Sequence, residues 1–292
     1  MVEIKKGTEK QEITKILPSK NFIPSEKAWQ IIHFAKSHKF ILEGIMPEKE
    51  MFSKQMQNIK IAIDGTAASG KGTIASKLAS FLSGAYLDTG KLYRTLAFML
   101  QNILQNMLQK QPKQPSGSDY KLESLAKIND DVLGKFLADI TEKEVIAIAL
   151  DVAKHKLLET EEIGKIASKI ASYQVVRGFL FNIQQEFIRN NNIAVLDGRD
   201  IGTVIMPKAD FKFFITASLE ERANRRYKQL QLRKTDVTYE EIFADLAERD
   251  KNDKMRKIAP LQFSQDYYLI DSSLFGADEI FLLTMGIIIL NA

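Results

Sequence analysis

The chain has 292 residues, 45% apolar and 27% charged, with a formal net charge of +4. This is a globular composition with material for one large domain or two modest ones, and its basic excess suits a phosphorylated small molecule better than a nucleic acid. It has no cysteine, which excludes disulfides, zinc–thiolate centres and cysteine nucleophiles. No apolar run approaches the roughly 20 residues that cross a bilayer, and no apolar segment backs the charged N-terminus as a secretory leader requires. The expectation is therefore a cytoplasmic protein with neither membrane nor nucleic-acid partners.

Residues 1–57 mix Lys, Glu and Gln with scattered apolar side chains, and Pro18, Pro24 and Pro47 interrupt any long element. One short helix is predicted there, from Ser25 as N-cap to Ala35. The segment carries no chemistry and reads as an appendage. Regular patterning begins at Ile59, where a β-branched run to Asp64 predicts a strand. A helix is predicted over Thr73–Phe81, with Ile74, Leu78 and Phe81 on one face. A short strand follows at Ala85–Leu87 and a second helix at Leu92–Leu108. The polar, proline-containing stretch Gln109–Ser118 reads as a surface connection. Further on, Lys143–Val152 is expected as a strand, Glu161–Asn190 as one or two helices, and Asn192–Asp197 and Phe211–Thr216 as strands. Helices are expected over Leu219–Leu230 and Tyr239–Asp250, then a last strand over Tyr267–Asp271 and an apolar C-terminal helix. Apolar strands alternating with helices predict a parallel sheet covered on both faces.

Between the first strand and its helix lies Gly65-Thr66-Ala67-Ala68-Ser69-Gly70-Lys71-Gly72-Thr73. A glycine-rich turn in this position lets backbone N–H groups face phosphate oxygens. The helix N-terminus adds a positive dipole end, and Lys71 brings a mobile charge for the β- and γ-phosphates. These nine residues are the expected ATP cradle. Gly72 stands where the strict pattern has Ser or Thr, with Thr73 following, so a hydroxyl on Mg²⁺ is not guaranteed. The motif leaves the acceptor of the phosphoryl group open.

Three further runs narrow that choice: Tyr86 to Arg94, Leu196 to Pro207, and Arg249 to Leu261 with its Arg-Asp-x-x-Asp-x-x-Arg-x-x-Ala-Pro-Leu spacing. With the glycine-rich loop they resemble the bacterial cytidylate kinase family over nearly all of residues 59–285. The resemblance implies a doubly wound α/β P-loop fold with a parallel sheet of about five strands. It implies a kinase-like domain over 58–292, with an acceptor-binding insert at about 119–180, a lid at about 222–256, and 1–57 as an extension outside the family core. Met56 would be a natural beginning for that core. The implied reaction is transfer of a phosphoryl group from ATP·Mg²⁺ to CMP or dCMP by a protein expected to be monomeric. Two other readings are a kinase for another acceptor, such as UMP or AMP, and a non-catalytic nucleotide-binding adaptor acting through residues 1–57.

The residues suit that chemistry. A monophosphate dianion beside ATP needs several arginines, and the resemblance assigns Arg94, Arg199 and Arg256 to it, with Lys71, Arg199 and Arg256 as the catalytic set. It adds Thr89 to the acceptor contacts and gives Arg249 and Asp253 the ribose hydroxyls. Cytosine presents an amine where uracil presents an oxygen, so a carboxylate at that edge discriminates between them. By resemblance the carboxylate is Asp200, with Ser168 and Arg177 as its partners on the base. Arg222, Arg225 and Arg226 fall in the lid over ATP, where water exclusion favours transfer to the acceptor. The chain departs from the family at Lys91 (usually small), at Leu158-Glu159 (usually Ile-Arg) and at Tyr267-Tyr268 (usually Asp-Ala). No protein metal site and no covalent intermediate are expected, and His33, His38 and His155 lie outside every motif.

Overall fold

The computed structural model describes residues 23–37, 57–109, 128–151, 154–233 and 236–291. Most of the N-terminal segment, Met56, His38, and the connection expected over 109–118 beyond its first residue lie outside them. Along the chain run α1 (Ser25–Ser37), β1 (Lys60–Gly65), α2 (Lys71–Phe81), β2 (Ala85–Asp88), α3 (Thr89–Gln109), α4 (Asp130–Ala138), α5 (Glu142–Leu150), α6 (His155–Leu158), α7 (Glu161–Ile170) and α8 (Gln174–Asn190). There follow β3 (Ala194–Gly198), a π-helical turn (Ile201–Ile205), β4 (Phe211–Thr216), α9 (Leu219–Leu232), α10 (Tyr239–Met255), β5 (Tyr268–Asp271) and α11 (Ala277–Asn291).

The five strands form one sheet in the order β2-β3-β1-β4-β5. Strand β1 pairs in parallel with β3 on one side and β4 on the other, and β4 pairs in parallel with β5. The central strands are continuous apolar runs because both faces are covered: every residue of β1 after Lys60, and all of β3, is buried. Strand order reverses at β1, and open parallel sheets bind ligands beyond the carboxyl ends of their strands at such a switch point. Three groups singled out above start where a strand ends: the glycine-rich loop after β1, Thr89 after β2, and Arg199-Asp200 after β3.

The chain divides into two compact units. The larger comprises residues 1–87, 188–255 and 259–292 and holds the sheet with α1, α2, α9, α10 and α11. The smaller comprises residues 88–187 and 256–258 and is helical. In it α3 packs against α5, α6 and α7, and Leu92, Leu96, Leu133, Val145, Leu158 and Ile170 are buried. No helix among the described residues is long and apolar enough to cross a membrane.

One expectation needs correction. The segment Lys143–Val152, expected as a strand from its apolar run, is helix α5 up to Leu150. Thr141 caps it in a reciprocal box: the Glu144 N–H donates to the Thr141 hydroxyl at 3.3 Å, and the Thr141 N–H donates to the Glu144 carboxylate at 2.8 Å. Val145 and Ala149, four residues apart, are its buried positions, a period that the run of apolar neighbours hides. Helix α1 forms where the sequence predicts it, from Ser25, and is firmly packed. Ile31 and Ile32 are fully buried in the same core as β1, β4, β5 and α11. The approach to α11 is so close that a Cβ on Gly286 would stand 2.5 Å from Ile31 Cγ2. Ile32→Ala should therefore lower unfolding free energy by about 2–5 kcal/mol, read as a drop in the urea midpoint at unchanged slope; a peripheral helix would leave the midpoint where it is.

Candidate active site

The loop after β1 is held open for an anion. Gly70 caps α2 with φ of 87° and no side-chain hydrogen bond, a left-handed conformation that glycine adopts without steric cost. The first N–H groups of α2 accordingly face the loop without a side-chain cap, the arrangement that binds phosphate. The hydroxyls of Thr66 and Ser69 are buried without a hydrogen-bond partner among the described residues. Buried polar groups are rarely left so, and phosphate oxygens would satisfy them.

The cradle is fixed from outside. Arg222, on α9, donates through Nη1 to the Ala67 carbonyl at 3.1 Å and through Nε to the Ala217 carbonyl at 3.0 Å. It also grips both oxygens of Asp250, on α10, at 2.6 and 3.2 Å. Its side chain is 4% exposed. The Arg222 guanidinium is thus committed to the loop and to α10. Ser272 Oγ donates to the Ser69 carbonyl at 3.1 Å, and Arg225 donates to Ser272 Oγ at 3.0 Å and to its carbonyl at 2.6 Å. Arg225 and Arg226 line a cleft of about 650 Å³ with Ser69, Gly70, Thr73 and the turn Ser272–Gly276. Arg225 and Arg226 therefore border the phosphate loop.

Lys71 Nζ lies 3.9 Å from Asp197 at the end of β3, and the other Asp197 oxygen accepts from the Tyr86 hydroxyl at 2.8 Å. A Cβ on Gly72 would stand 3.3 Å from the Tyr86 hydroxyl and 3.7 Å from Asp197 Oδ2, so a larger residue there would press on the Tyr86 hydroxyl. Arg199 donates through Nε to Asp253 at 2.7 Å and through Nη1 to the Gly198 carbonyl at 3.1 Å. Burial works to lower its pKa, but Asp253, Asp197 and Asp250 outweigh it and raise the value. Asp253 and Arg249 sit one turn apart on α10, as their spacing predicted.

Behind the Arg199-Asp200 pair lies a group that the sequence reading passed over. Asp64, fully buried, accepts from the backbone N–H of Ile201 and Gly202 at 2.8 Å each and from the Tyr267 hydroxyl at 2.7 Å. Gly202 is required at this point, since a Cβ would stand 2.4 Å from the Tyr267 oxygen. Burial pushes the Asp64 carboxyl up to about 6, against the pull of its three donors. Burial and the Asp64 charge push the Tyr267 phenol far above its ordinary range, so it remains a donor. The aspartate directly before the glycine-rich loop was the available signal, as was the bulky Tyr267 where the family has a smaller side chain.

In the smaller unit Arg94 donates to the carbonyls of Leu158 and Thr160 at 2.8 and 3.1 Å. Leu158, one of the departures, is fully buried, and the service its position gives Arg94 comes from the backbone. Burial lowers the Lys91 pKa while Asp88 and Glu159 act to raise it; two departures are thus electrostatic neighbours of opposite sign. Thr89 opens α3 and is buried; Ser168, on α7, is half-buried. Arg177, on α8, is buried and donates to the Ala171 carbonyl at 3.2 Å. Arg256 belongs to the same unit. The sequence-predicted residues therefore fall into two groups: the cradle, Arg199, Asp200, Arg249 and Asp253 in the larger unit, and Thr89, Arg94, Ser168, Arg177 and Arg256 in the smaller.

A strand, a glycine-rich loop ending in lysine and a helix, at the centre of a parallel sheet ordered 2-3-1-4-5, define a P-loop nucleotide-binding protein of the NTPase fold. Comparison with known proteins narrows the class. A family model described as "Cytidylate kinase" matches residues 61–288. Cytidylate kinase 1 of Haemophilus influenzae is 38% identical over 220 residues, 75% of this chain and 89% of the relative. The cytidylate kinase of Fervidobacterium nodosum is 40% identical over 221 residues, 76% of this chain and 92% of the relative. The chain belongs to the cytidylate kinase family.

The Asp64 clamp makes a testable demand on titration. A carboxyl whose folded pKa is raised favours the folded state at low pH, so its contribution to stability is present below about 4 and is lost as pH rises through about 6. Tyr267 is one of the donors that hold the value down. In Tyr267→Phe the Asp64 carboxyl should titrate above the wild-type midpoint near 6, read by carboxyl-carbon NMR; an unchanged or lower midpoint would show that the phenol does not reach the carboxylate.

Proposed function

We propose that the protein transfers the γ-phosphoryl group of ATP to the phosphate of CMP or dCMP, giving ADP and the corresponding cytidine diphosphate. The observation that carries this is the uncapped, externally braced loop Gly65–Thr73 with Lys71 opening α2, and the Arg199-Asp200 pair directly after the neighbouring strand β3. The bond from the γ-phosphorus to the ADP oxygen breaks as a bond to an acceptor phosphate oxygen forms. Such transfer needs position and charge and no covalent enzyme intermediate.

In this reading the loop amides and the hydroxyls of Thr66 and Ser69 hold the polyphosphate, and Lys71 follows the charge onto the leaving ADP. Arg225 and Arg226 border the donor nucleotide, while Arg222 keeps the loop in shape from behind. Arg94, Arg199 and Arg256 are assigned to the acceptor phosphate, Arg249 and Asp253 to the ribose, and Thr89 to the acceptor's surroundings. Asp200 accepts from the cytosine amine, with Ser168 and Arg177 at the same base. A buried carboxylate facing uracil would be left against an oxygen, a mismatch costly enough to discriminate on the order of a hundredfold.

Mg²⁺ fits the donor set without a cage of its own. Among the described residues no cluster of three metal-binding side chains occurs, but Asp197 is nearly buried beside Lys71 and the exposed Thr73 lines the cleft at the start of α2. These two would hold the ion, in part through water, while ATP supplies the remaining oxygens. The ion's contribution is to neutralise charge on the β- and γ-phosphates.

ADP formation with ATP·Mg²⁺ and each of CMP, dCMP, UMP, AMP and GMP tests the proposal. Turnover with CMP and dCMP far above the others is expected. Lys71→Met should lower kcat on the order of a hundredfold or more, and Asp200→Asn should shrink the CMP-over-UMP preference by roughly tenfold or more. Equal rates with UMP in the wild type would remove the role of Asp200, and no turnover with any acceptor would remove the kinase reading.

A further inference from the structure

The cleft beside the phosphate loop has two walls outside the loop itself: the face of α9 that bears Arg225 and Arg226, and the turn Ser272–Gly276 between β5 and α11. Residues 23–37, which precede the segment 61–288 that matches the family, touch this turn and both elements that bear it. Upstream, the Ile23 N–H donates to the carbonyl of Leu269 in β5 at 3.2 Å. Since β5 ends the sheet order, this bond uses an edge acceptor that would otherwise be open. Downstream, α1 packs on α11, with Ile31 filling the space over Gly286. In the middle, the Trp29 ring lies against the Phe275 ring, with centroids 5.3 Å apart and planes tilted by 53°. Phe275 lines the cleft, yet is only 8% exposed.

We propose that Trp29, through Phe275, positions the Ser272–Gly276 wall for the donor nucleotide, so that α1 is a working part of the ATP site. A turn between a strand and a helix holds its shape only as well as its ends and its one apolar anchor are held. Strand β5 is four residues long and at the sheet's edge; the Ser272 N–H donates to the Thr216 carbonyl at 2.7 Å and the Ser218 N–H to Ser273 Oγ at 2.8 Å, while Ile23, Trp29 and Ile31 hold β5, Phe275 and α11. The same turn presents Ser272, which bridges Arg225 and the carbonyl of Ser69. Displacement of Phe275 would therefore be felt at the phosphate loop as well as at the wall. The acceptor groups after β3 and on α10 have no contact with α1 among the element pairs that pack together, so the effect should be confined to the donor nucleotide. This inference rests on the reading of the cleft as the ATP site.

Trp29 is the single tryptophan of the chain, so its emission reports on this contact in the unmodified protein. ADP or ATP·Mg²⁺ should change the Trp29 emission saturably, and CMP alone should not. In kinetics, Trp29→Ala should raise KM for ATP roughly three- to tenfold, the worth of one aromatic pair, leaving KM for CMP within about twofold, and Trp29→Phe should recover most of the loss. Leu274→Glu, at an exposed position of the cleft wall (76% exposed), separates the two possible failures. If Leu274→Glu raises KM for ATP while Trp29→Ala leaves it unchanged, the cleft binds ATP and α1 does not position it. If Leu274→Glu also leaves it unchanged, the cleft is not the ATP site and the inference falls with that reading. Should Trp29→Ala fail to fold, a wild-type emission indifferent to ADP and ATP would overturn the inference by itself.

Discussion

A carboxylate shut away from water terminates the central strand, and the arrangement around it depends on satisfying that charge. Asp64 has two backbone amides and one phenol to accept from, and all three come from segments distant in sequence. Unpaired burial of an ionised carboxylate is among the most expensive events in folding. The π-helical turn at Ile201–Ile205 and the position of Tyr267 are therefore dictated by where this acid needs donors. That turn begins directly after Arg199 and Asp200, so the groups assigned to the acceptor stand at a point fixed by β1, the same strand that launches the phosphate loop.

Outside that buried point the larger unit gathers cations and anions in nearly equal measure. Lys71, Arg199 and Arg222 face Asp197, Asp253 and Asp250. Arginine holding a carboxylate with two donors fixes direction as well as charge, and Arg222 uses this to tie α9, α10 and the Ala67 carbonyl together. Pairs that lie far out in solvent contribute little, but Arg222 is almost wholly buried, and loss of its partner would leave a charge stranded. Because Lys71, Arg199, Arg222 and Arg225 each already have an anion nearby, a bound polyphosphate competes for charges that are held in place, rather than ordering loose side chains.

The departures from the family pattern acquire physical reasons in three dimensions. Leu158 is free to differ because its carbonyl, common to any residue, is what Arg94 uses. Lys91 and Glu159 are unusual together and act on one another electrostatically. Tyr267 supplies a donor to Asp64.

Local sequence carried the elements and the cradle. A continuous β-branched run into a glycine-rich turn, then a 3.6-residue period, can be built in few ways, and β1, α2, β4 and the cluster after β3 lie where the pattern put them. Short apolar runs carry no such distinction: α5 reads as a strand until Thr141 and Glu144 are seen to cap it. What no local pattern held was pairing across the fold. That Asp64 accepts from Tyr267, that Arg222 braces the loop from behind, and that Ile31 and Ile32 of the N-terminal segment belong to the central core are contacts between residues separated by 28 to more than 200 positions. The sequence by itself determined which side chains could bind a phosphate, because that chemistry is local to a loop. Only the tertiary structure decided which arginines remain at the cleft and which are consumed in holding it, because that depends on which acid is nearest once the chain has folded.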